Sequence, residues 1–417
     1  MNIALDTLPG SARLADINVA HIPYLDAAPA YEELPAEGGF KRIRLPSGHT
    51  AIHLVRHAEV QALLLDNRAI RAPCNEEDGP SFLPTITPPE LLLNNDIPDH
   101  GRLRKVVARD FSPSGVALLR EAVERVTHER IDLLQRQARG ADLFSLVLEQ
   151  VPSTVDCQLL GIPLADRDYY RPLSHTVQIA SDADVPELLR QFWGVYDYLT
   201  DLVTGARPTL PDGLIQRFVA ARHDSEPGLS DKELVGILLG VLIGGDQNIL
   251  SVLTKAVYVL LAQPALYRRL VDEPQLIPSA VEELLRLLPL GTISTFPRLA
   301  STDLEGPWGV IPAGSVIYAD AFAANRDPEV FPEPLAIRLD RDDGRHLQFG
   351  YGMHNCMGAA LARLEITTVL QILVERLPDL RLDLPAEQLP WVEGIILRRP
   401  TRLPVRGFTP VEPRTTP

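Results

Sequence analysis

The sequence predicts a mainly α-helical α+β fold, in which a large helical part is accompanied by small β-sheets. A long apolar run, ELVGILLGVLIGGDQNILSVLTKAVYVLL, predicts a central helix, and Ser230 with Glu233 forms a capping-box pattern at its start. Nearer the N-terminus, FKRIRLPSGHTAIHLV alternates polar and apolar residues around a Pro-Ser-Gly turn, which predicts a β-hairpin. A chain of 417 residues with 45% hydrophobic residues can also bury a large core.

The elements after the hairpin are predicted from local signals in chain order. A helix is expected to begin at about His57. Residues 73–98 cannot form one regular element, because proline lacks the backbone donor that helices and sheets use. The prolines of this segment are Pro73, Pro80, Pro84, Pro88, Pro89 and Pro98. Beyond the central helix, AVEELLRLLP predicts another helix, on which Glu283 and Arg286 are neighbours.

Composition and charge exclude several classes of function. A formal net charge of −15 argues against a nucleic-acid partner, because phosphate binding needs a basic surface. Three cysteines, Cys74, Cys157 and Cys356, form no disulfide framework and predict a reducing compartment, with Cys74 and Cys157 as structural residues. We find no signal-like N-terminus and no apolar run long enough to span a bilayer. These features predict a cytoplasmic bacterial protein without a membrane partner.

The run FGYGMHNCMGAALARLE places one cysteine in a glycine-rich loop that leads into a helix. We interpret Cys356 as a thiolate ligand for haem iron, because the N–H groups and the dipole at a helix start stabilise a thiolate. Gly350 and Gly352 can adopt positive φ, and Gly358 leaves room where the helix begins. Phe349 would shield the sulfur from water. A buried structural cysteine beside a turn is the alternative interpretation.

This run resembles the haem-binding signature of the cytochrome P450 superfamily, F-G-x-G-x-H-x-C-x-G-x-x-L-A-R-x-E. The matching positions are Phe349, Gly350, Gly352, His354, Cys356, Gly358, Leu361, Ala362, Arg363 and Glu365. The resemblance implies a single cytochrome P450 domain over residues 1–417, with terminal tails at about 1–20 and 408–417. It also implies a monomer with haem b bound through Cys356, which uses O2 and electrons from an external redox partner.

The segment DIPDHGRLRKVV resembles the helix with which the family binds the haem propionates. The family's histidine and arginine correspond to His100 and Arg104, whose spacing of four places both side chains on one helix face. The resemblance adds Arg298 and His354 as further propionate partners. Two buried carboxylates need such charge-assisted hydrogen bonds.

Basic residues are concentrated in this segment and around the cysteine loop. They are Arg102, Arg104, Lys105, Arg109, Arg345 and Arg363. A basic patch near the thiolate suits an acidic ferredoxin, supplied with electrons by a ferredoxin reductase, as in soluble bacterial relatives. An ordinary solvated surface is the other interpretation, and the sequence leaves both open.

The central helix contains adjacent glycines, Gly244 and Gly245, each of which costs about 1 kcal/mol relative to alanine in a helix interior. Close packing is one explanation, and the resemblance favours a local distortion that opens a groove for oxygen and water. Most relatives then carry an acid and a threonine that deliver protons, whereas this chain has Gln247 and Asn248. Asp246 is one residue early, about 100° around the helix, and cannot simply substitute for that acid.

Three segments are candidates for the substrate pocket by position in the family. Their residues are Phe82, Leu83 and Ile86 in the proline-rich segment, Thr292 and Ile293 after the Glu283 helix, and Ile395 and Ile396 in a C-terminal hairpin. Each segment could equally supply loop anchors or core residues.

Glu283 and Arg286 match the family's E-x-x-R pair. The residues alone are consistent with a surface pair, whereas the resemblance implies a buried pair joined by a third arginine. Ala336 occupies the position at which that arginine is expected. Arg338, two residues further on, is a candidate replacement.

In lacking the acid and the threonine, the chain resembles secondary-metabolite tailoring enzymes. We therefore expect a small hydrophobic or aromatic substrate, and oxidative coupling that forms a C–C or C–N bond on an aromatic natural-product scaffold such as a tryptophan-containing cyclodipeptide. A conventional monooxygenase that hydroxylates or epoxidises a small hydrophobic substrate is an alternative. A haem-thiolate protein that binds a ligand without turnover is another, and a structural metal site at Cys356 is disfavoured because no second cysteine is near it in sequence.

Overall fold

The computed structural model describes residues 17–26, 29–83, 87–137, 140–174, 185–224, 228–394 and 396–409. Its α-helices are α1 (His57–Leu65), α2 (Asp99–Val107), α3 (Pro113–Ala117), α4 (Arg120–Gln135), α5 (Gln150–Leu160), α6 (Arg167–Ser174), α7 (Val185–Thr204), α8 (Leu214–Ala221), α9 (Asp231–Ile243), α10 (Ile249–Ala262), α11 (Pro264–Asp272), α12 (Ile277–Leu287), α13 (Ala321–Ala324) and α14 (Ala359–Arg376). Its strands are β1 (Glu32–Glu37), β2 (Phe40–Arg44), β3 (Thr50–Leu54), β4 (Ala69–Ile70), β5 (Ala141–Asp142), β6 (Arg298–Ala300), β7 (Leu304–Gly306), β8 (Gly309–Ile311), β9 (Val316–Ala319), β10 (Arg381–Leu382), β11 (Trp391–Glu393), β12 (Arg398–Pro400) and β13 (Pro404–Arg406). Helices dominate and the sheets are small, so the predicted fold class is confirmed.

The predicted hairpin consists of β2 and β3, which lie inside the edge strand β1 of the six-stranded sheet. β2 and β3 pair antiparallel with Arg42 opposite Ile52, and the turn between them has Gly48 at φ +83°. Such a φ is accessible to glycine at little cost. The strand order of this sheet is β1-β2-β3-β9-β6-β4, in which β3 and β9 run parallel. The helix predicted from about His57 is α1.

The predicted central helix consists of α9 and α10 with a π-helical segment, Gly244–Asn248, between them. Its start is a capping box, because Glu233 N donates to Ser230 Oγ and Ser230 N donates to Glu233 Oε2. The whole run, Asp231–Ala262, is long and apolar enough to cross a membrane by length and composition, contrary to our expectation from the sequence. However, 72% of its most apolar window is buried inside the protein, among helices that include α5, α7 and α12.

The main hydrophobic core surrounds this helix and contains residues from Ile17 to Val405. The predicted N-terminal tail of about 20 residues is therefore too long, because Ile17 and Val19 are buried and Val19 N donates to Leu335 O. At the other end, Phe408 packs partly against the same core. The proline-rich segment contains two short 3₁₀ turns, Ala72–Asn75 and Leu92–Asn94, rather than one regular element.

The E-x-x-R pair is buried and is joined by a third arginine that the sequence did not identify. Arg286 Nε donates to Glu283 Oε2 at 2.7 Å, and Arg341 Nε lies 3.0 Å from both Glu283 oxygens. The Arg338 guanidinium instead donates to Asp343, and only the backbone N–H of Arg338 donates to Glu283, at 2.9 Å. The prediction for Arg338 is wrong because the chain turns after it, which brings Arg341 inward.

Candidate active site at the cysteine loop

The cysteine loop is shaped by two glycines in left-handed conformation. Gly350 has φ +66° and Gly352 has φ +68°, as expected. A Cβ at Gly352 would lie 2.3 Å from Leu64 O, so only glycine allows the loop to approach the end of α1 this closely. Cys356 N donates to Phe349 O at 2.8 Å, which closes the loop just before α14 begins.

The Cys356 side chain is exposed because it faces two cavities, one on each side of the loop. Burial by the surrounding protein raises the pKa of its thiol, while hydrogen bonds from the backbone N–H groups of Gly358 and Ala359 and the charges of Arg104 and Arg363 lower it. Burial is the larger effect. The backbone N–H groups at the helix start thus lower the pKa of the thiol, in the direction that the sequence predicts, although burial outweighs them.

The first cavity has a volume of about 380 Å³ and lies between the cysteine loop and the π-helical segment of the central helix. Cys356 and His354 line it from the loop, and Gly244, Gly245 and Asn248 line it from the central helix. The remaining lining is largely apolar and includes Val241, Ile249, Val252, Leu290 and Phe296. A flat apolar group held by the sulfur would thus face the distorted part of the helix.

The part of this cavity lined by His354 and Arg298 is suited to anions, and His100, which is not in the described lining, lies against His354. The rings of His100 and His354 are 4.4 Å apart, and neither His100 Nδ1 nor His354 Nε2 has a hydrogen-bond partner among the described residues. Burial together with nearby arginine charges lowers the pKa of His100 to about 4 and that of His354 to about 2; the charge is mainly that of Arg104 for His100 and that of Arg298 for His354. Unpartnered imidazole nitrogens beside buried arginines suit the carboxylates of a ligand.

These residues fit haem. Cys356 would hold the iron, and His100, Arg298 and His354 would hold the propionates. Arg71, which the sequence analysis missed, also lines the cavity and is buried beside Arg298. Nothing in the sequence near Arg71 marks it, because it joins the site through packing against Phe296 at 4.9 Å.

Arg104 lies apart from this group, although it shares α2 with His100. It lines the second cavity, of about 610 Å³, which opens on the other side of the cysteine loop. Its charge acts on both the Cys356 thiol and the His100 ring, whose pKa values it lowers. The structure therefore brings three of the four predicted propionate partners, His100, Arg298 and His354, to one place, and it places the fourth nearer the sulfur.

The carboxamides of Gln247 and Asn248 point in different directions. Asn248 lines the 380 Å³ cavity, and its Oδ1 has no hydrogen-bond partner in the described part of the chain. Gln247 is fully buried and outside the described lining, because Arg399 donates to its Oε1 at 3.1 Å and its Nε2 donates to Asp246 Oδ2 at 3.0 Å. Asp246 lies 3.5 Å from the Arg171 guanidinium and also faces away from the cavity. The predicted role of Gln247 at the cavity therefore finds no support in its position.

A carboxylate that the sequence analysis overlooked lines the cavity instead. Asp156, on α5, is 2% exposed, and a Cβ at Gly245 would lie 2.5 Å from its Oδ1. Burial and the negative charges of Asp246 and Glu365 raise the pKa of Asp156 well above its usual value. The available signal was a lone acid within the otherwise uncharged helix QVPSTVDCQLL.

The predicted substrate-pocket residues are placed mostly away from the cavity. Phe82 and Ile293 belong to a separate core cluster, in which Phe82 packs edge-on against Tyr318 at 4.9 Å. Leu83, Thr292 and Ile396 are described but are not in the lining. Ile86 and Ile395 lie outside the described residues. The segment after Thr292 reaches the cavity through Ser294, Thr295 and Phe296.

The basic residues near the cysteine loop are divided between two faces. Arg104, Arg345 and Arg363 line the 610 Å³ cavity together with Arg120, and its described lining contains no carboxylate. We call this surface the basic cavity. Arg102, Lys105 and Arg109 instead line a groove beside α8, where Arg102 is paired with Glu233.

Comparisons with known proteins agree with this site. The sequence model described as Cytochrome P450 matches residues 195–390. The mycinamicin IV hydroxylase/epoxidase of Micromonospora griseorubida is 38% identical to this chain over 91% of the chain and 96% of the relative. Nocardicin C N-oxygenase of Nocardia uniformis subsp. tsuyamanensis is 37% identical, again over 91% of this chain and 96% of the relative.

The fold is also shared with solved structures. A crystal structure of cytochrome P450mel, described as having biaryl coupling reactivity, is 33% identical, with a TM-score of 0.83 over 88% of this chain and 93% of that one. Similarity of this extent in both sequence and structure is specific to a family. The chain belongs to the cytochrome P450 family, among the bacterial oxidoreductases that tailor secondary metabolites.

Proposed function

We propose that this cytochrome P450 tailors an aromatic natural product by oxidative coupling, forming a C–C or C–N bond on a scaffold such as a tryptophan-containing cyclodipeptide. Haem bound through Cys356 supplies the reductive activation of O2. The protein supplies the rest, because its side chains orient the substrate, exclude water and deliver protons.

The observation that carries this proposal is the composition of the cavity wall opposite Cys356. The central helix presents Gly244, Gly245 and Asn248 there, without the acid and threonine of most relatives. A carboxamide is a poor proton donor, so the usual proton delivery from this helix is lost. The 33% identical relative with biaryl coupling reactivity supports the same outcome.

Conventional monooxygenation is the second candidate. Asp156 supplies a carboxyl group to the cavity from α5, so proton delivery does not have to come from the central helix. Two relatives of nearly equal similarity are named for hydroxylation or epoxidation and for N-oxygenation. The apolar lining, which includes Val241, Ile249 and Phe296, suits a hydrophobic substrate in either reaction.

We further propose that the basic cavity receives an acidic ferredoxin, which a ferredoxin reductase keeps reduced. Arg120 and Arg104 carry no acidic partner at hydrogen-bond distance among the described residues, so their charges are available to a docking protein. Cys356 also lines this cavity, so a partner seated there would lie close to the sulfur. A monomeric protein in the bacterial cytoplasm is consistent with this partner.

Product analysis distinguishes coupling from oxygen insertion. The holoenzyme is supplied with reduced ferredoxin, ¹⁸O₂ and a panel of aromatic scaffolds that includes tryptophan-containing cyclodipeptides, and products are identified by mass spectrometry. Coupling gives the combined mass of the joined parts less two hydrogen atoms and no ¹⁸O. If every product instead contains one ¹⁸O atom, coupling is excluded and the chain is a conventional monooxygenase.

A further inference from the structure

Asp156 is an acid without a hydrogen-bond partner at the wall of the active-site cavity. Its side chain is 2% exposed, and neither carboxyl oxygen has a hydrogen-bond partner among the residues that the structure describes. Leaving a buried ionised carboxylate unpaired is far more costly than leaving a neutral carboxylic acid unpaired. The position therefore favours the protonated form.

The charged groups around Asp156 favour the same form. Asp246 on the central helix acts on it as a negative neighbour, and any ionisation of Glu365 on α14 would add a second negative charge. The guanidinium of Arg171 contacts Glu149 at 2.9 Å and Asp246 at 3.5 Å. The adjacent Cys157 thiol and the Tyr170 hydroxyl, which are 3.1 Å apart, are neutral because burial raises both pKa values above their usual range.

The reaction class needs a proton donor on this side of the cavity. Insertion of one oxygen atom consumes O2, two electrons and two protons, and the second oxygen atom leaves as water. The electrons come from the reduced ferredoxin, which does not carry the protons. Asn248 cannot donate a proton readily, and Gln247 and Asp246 face away from the cavity.

We propose that Asp156 is the proton donor of the active site, in place of the acid and threonine that the central helix lacks. The O–H bond of its carboxyl group breaks, and the proton passes to a water in the cavity. That water can be held by Asn248 Oδ1, an acceptor that has no partner among the described residues. The carboxylate then regains a proton from solvent-derived water, so the group is unchanged after each turnover.

The absence of a side chain at Gly245 leaves room for this carboxyl group beside the central helix. A Cβ at Gly245 would lie 2.5 Å from Asp156 Oδ1 and 2.9 Å from its Cγ, whereas a Cβ at Gly244 would have no neighbour within 4 Å. Any larger residue at 245 would displace the acid. Gly245 and Asp156 thus pack directly against each other, although they are 89 positions apart in the chain.

The inference rests on the chain being an O2-consuming oxidase, and it holds for coupling and for oxygen insertion alike. Its test compares Asp156→Asn with Glu365→Gln in the haem-loaded protein. Glu365 is the matched control, because it is buried with a raised pKa and an unpartnered carboxyl oxygen but does not line the described cavity. Asparagine keeps the shape of a protonated aspartic acid, so the first variant should fold.

Two measurements are made, of which one needs no substrate. Infrared spectra in H2O and D2O at neutral pH should show two protonated-carboxyl bands in the wild type, one of which is lost in each variant. During turnover, Asp156→Asn should lower product formation about 10²-fold while reductant is still consumed, and the wild-type solvent isotope effect should change. Glu365→Gln should lower the product yield per electron pair far less than Asp156→Asn does.

The proposal is overturned if the band assigned to Asp156 is absent in the wild type, or if Asp156→Asn keeps the wild-type yield and isotope effect. It is also overturned if Glu365→Gln lowers the yield equally, because the effect would then come from loss of any buried acid. If the wild type forms no product at all, the proposed function fails, while the infrared bands still report whether Asp156 holds a proton.

Discussion

Gly244 and Gly245 are adjacent in the chain, yet a side chain added at each would meet different surroundings. Gly245 faces the Asp156 carboxyl group, and Gly244 faces open cavity. We predict that Gly245→Ala destabilises the protein by about 1–3 kcal/mol, as overpacking does, because Asp156 cannot move outward from its buried position. Chemical denaturation measures this difference.

Gly244→Ala is the matched control. With no atom within 4 Å of the new Cβ, it should be neutral or should stabilise the helix by up to about 1 kcal/mol. Equal effects of the two substitutions would contradict the assigned contact between Gly245 and Asp156.

Asp156 also makes stability depend on pH in a defined direction. Its pKa is raised in the folded protein by burial, so the folded state binds more protons than the unfolded state above the unfolded pKa of about 4. The stabilisation is complete below that pH and is lost as pH rises toward the folded pKa.

We therefore predict that Asp156→Asn flattens the fall of unfolding free energy with rising pH. The wild type should lose up to about 1.4 kcal/mol per pH unit from this group, and the variant should lose none of it. Urea denaturation at several pH values above 4 measures the slope. Parallel profiles for the two proteins would show that Asp156 is already ionised in the folded state.

At the scale of elements, α12 is held to the loop after α13 by one buried carboxylate and two arginines. Glu283 receives Arg286 and Arg341, and the Arg341 side chain also donates to the carbonyl oxygens of Pro332, Glu333 and Ala336. Removing one member of a buried ionic group leaves the others uncompensated. This network is therefore a strong local constraint on the position of α12.

We predict that Arg341→Ala costs about 3–5 kcal/mol of unfolding free energy, because Glu283 would stay buried with one guanidinium fewer. Arg338→Ala should cost less than about 1 kcal/mol, because the Arg338 side chain forms a half-exposed pair with Asp343 and its backbone N–H is retained. Thermal and urea denaturation of both variants test the assignment. A larger loss of unfolding free energy for Arg338→Ala than for Arg341→Ala would mean that Arg338 is the third arginine of the network.

At the scale of the whole molecule, the net charge of −15 contrasts with the basic cavity behind Cys356. An overall acidic protein repels an acidic partner except where its surface is locally positive. If an acidic ferredoxin is the partner, as proposed, this local positive charge would favour its docking at the cavity that reaches Cys356.

We predict that Arg120→Glu weakens the binding of reduced ferredoxin and slows its electron transfer by about tenfold or more at low salt, because a reversed charge opposes docking. The exposed Arg109 is the control, because it lies on the same basic segment but lines the groove beside α8. Stopped-flow reduction at increasing ionic strength measures both. If Arg109→Glu has the larger effect, the docking face is the groove rather than the basic cavity.

The parts of the fold and site that could be predicted from sequence are those whose residues are close together in the chain. The hairpin turn, the capping box and the glycines around Cys356 depend on neighbours within a few residues. Backbone preference and local hydrogen bonds therefore specify them before any tertiary contact forms. The Glu283–Arg286 pair is local in the same way, although its burial is not.

Contacts between distant segments could not be predicted in this way. Arg71 beside Arg298, Arg341 on Glu283 and Arg399 on Gln247 each join residues from separate elements. Spacing along the chain carries no information about where the chain turns or which neighbour lies opposite a residue. Predictions based on spacing therefore selected Arg338 and Gln247. The direction of a side chain on a buried helix is decided by packing.

By itself, the sequence determined the glycine-shaped loop around Cys356 that matches the family's haem-binding signature, because every residue that forms the loop is contiguous. Only the tertiary structure decided which groups face the cavity from the other side. It turned Gln247 away, brought Asp156 against Gly245 and gathered Arg104 with Arg120 behind the sulfur. The physical reason is that a loop depends on the conformations of neighbouring residues, whereas an active-site wall depends on how distant helices pack.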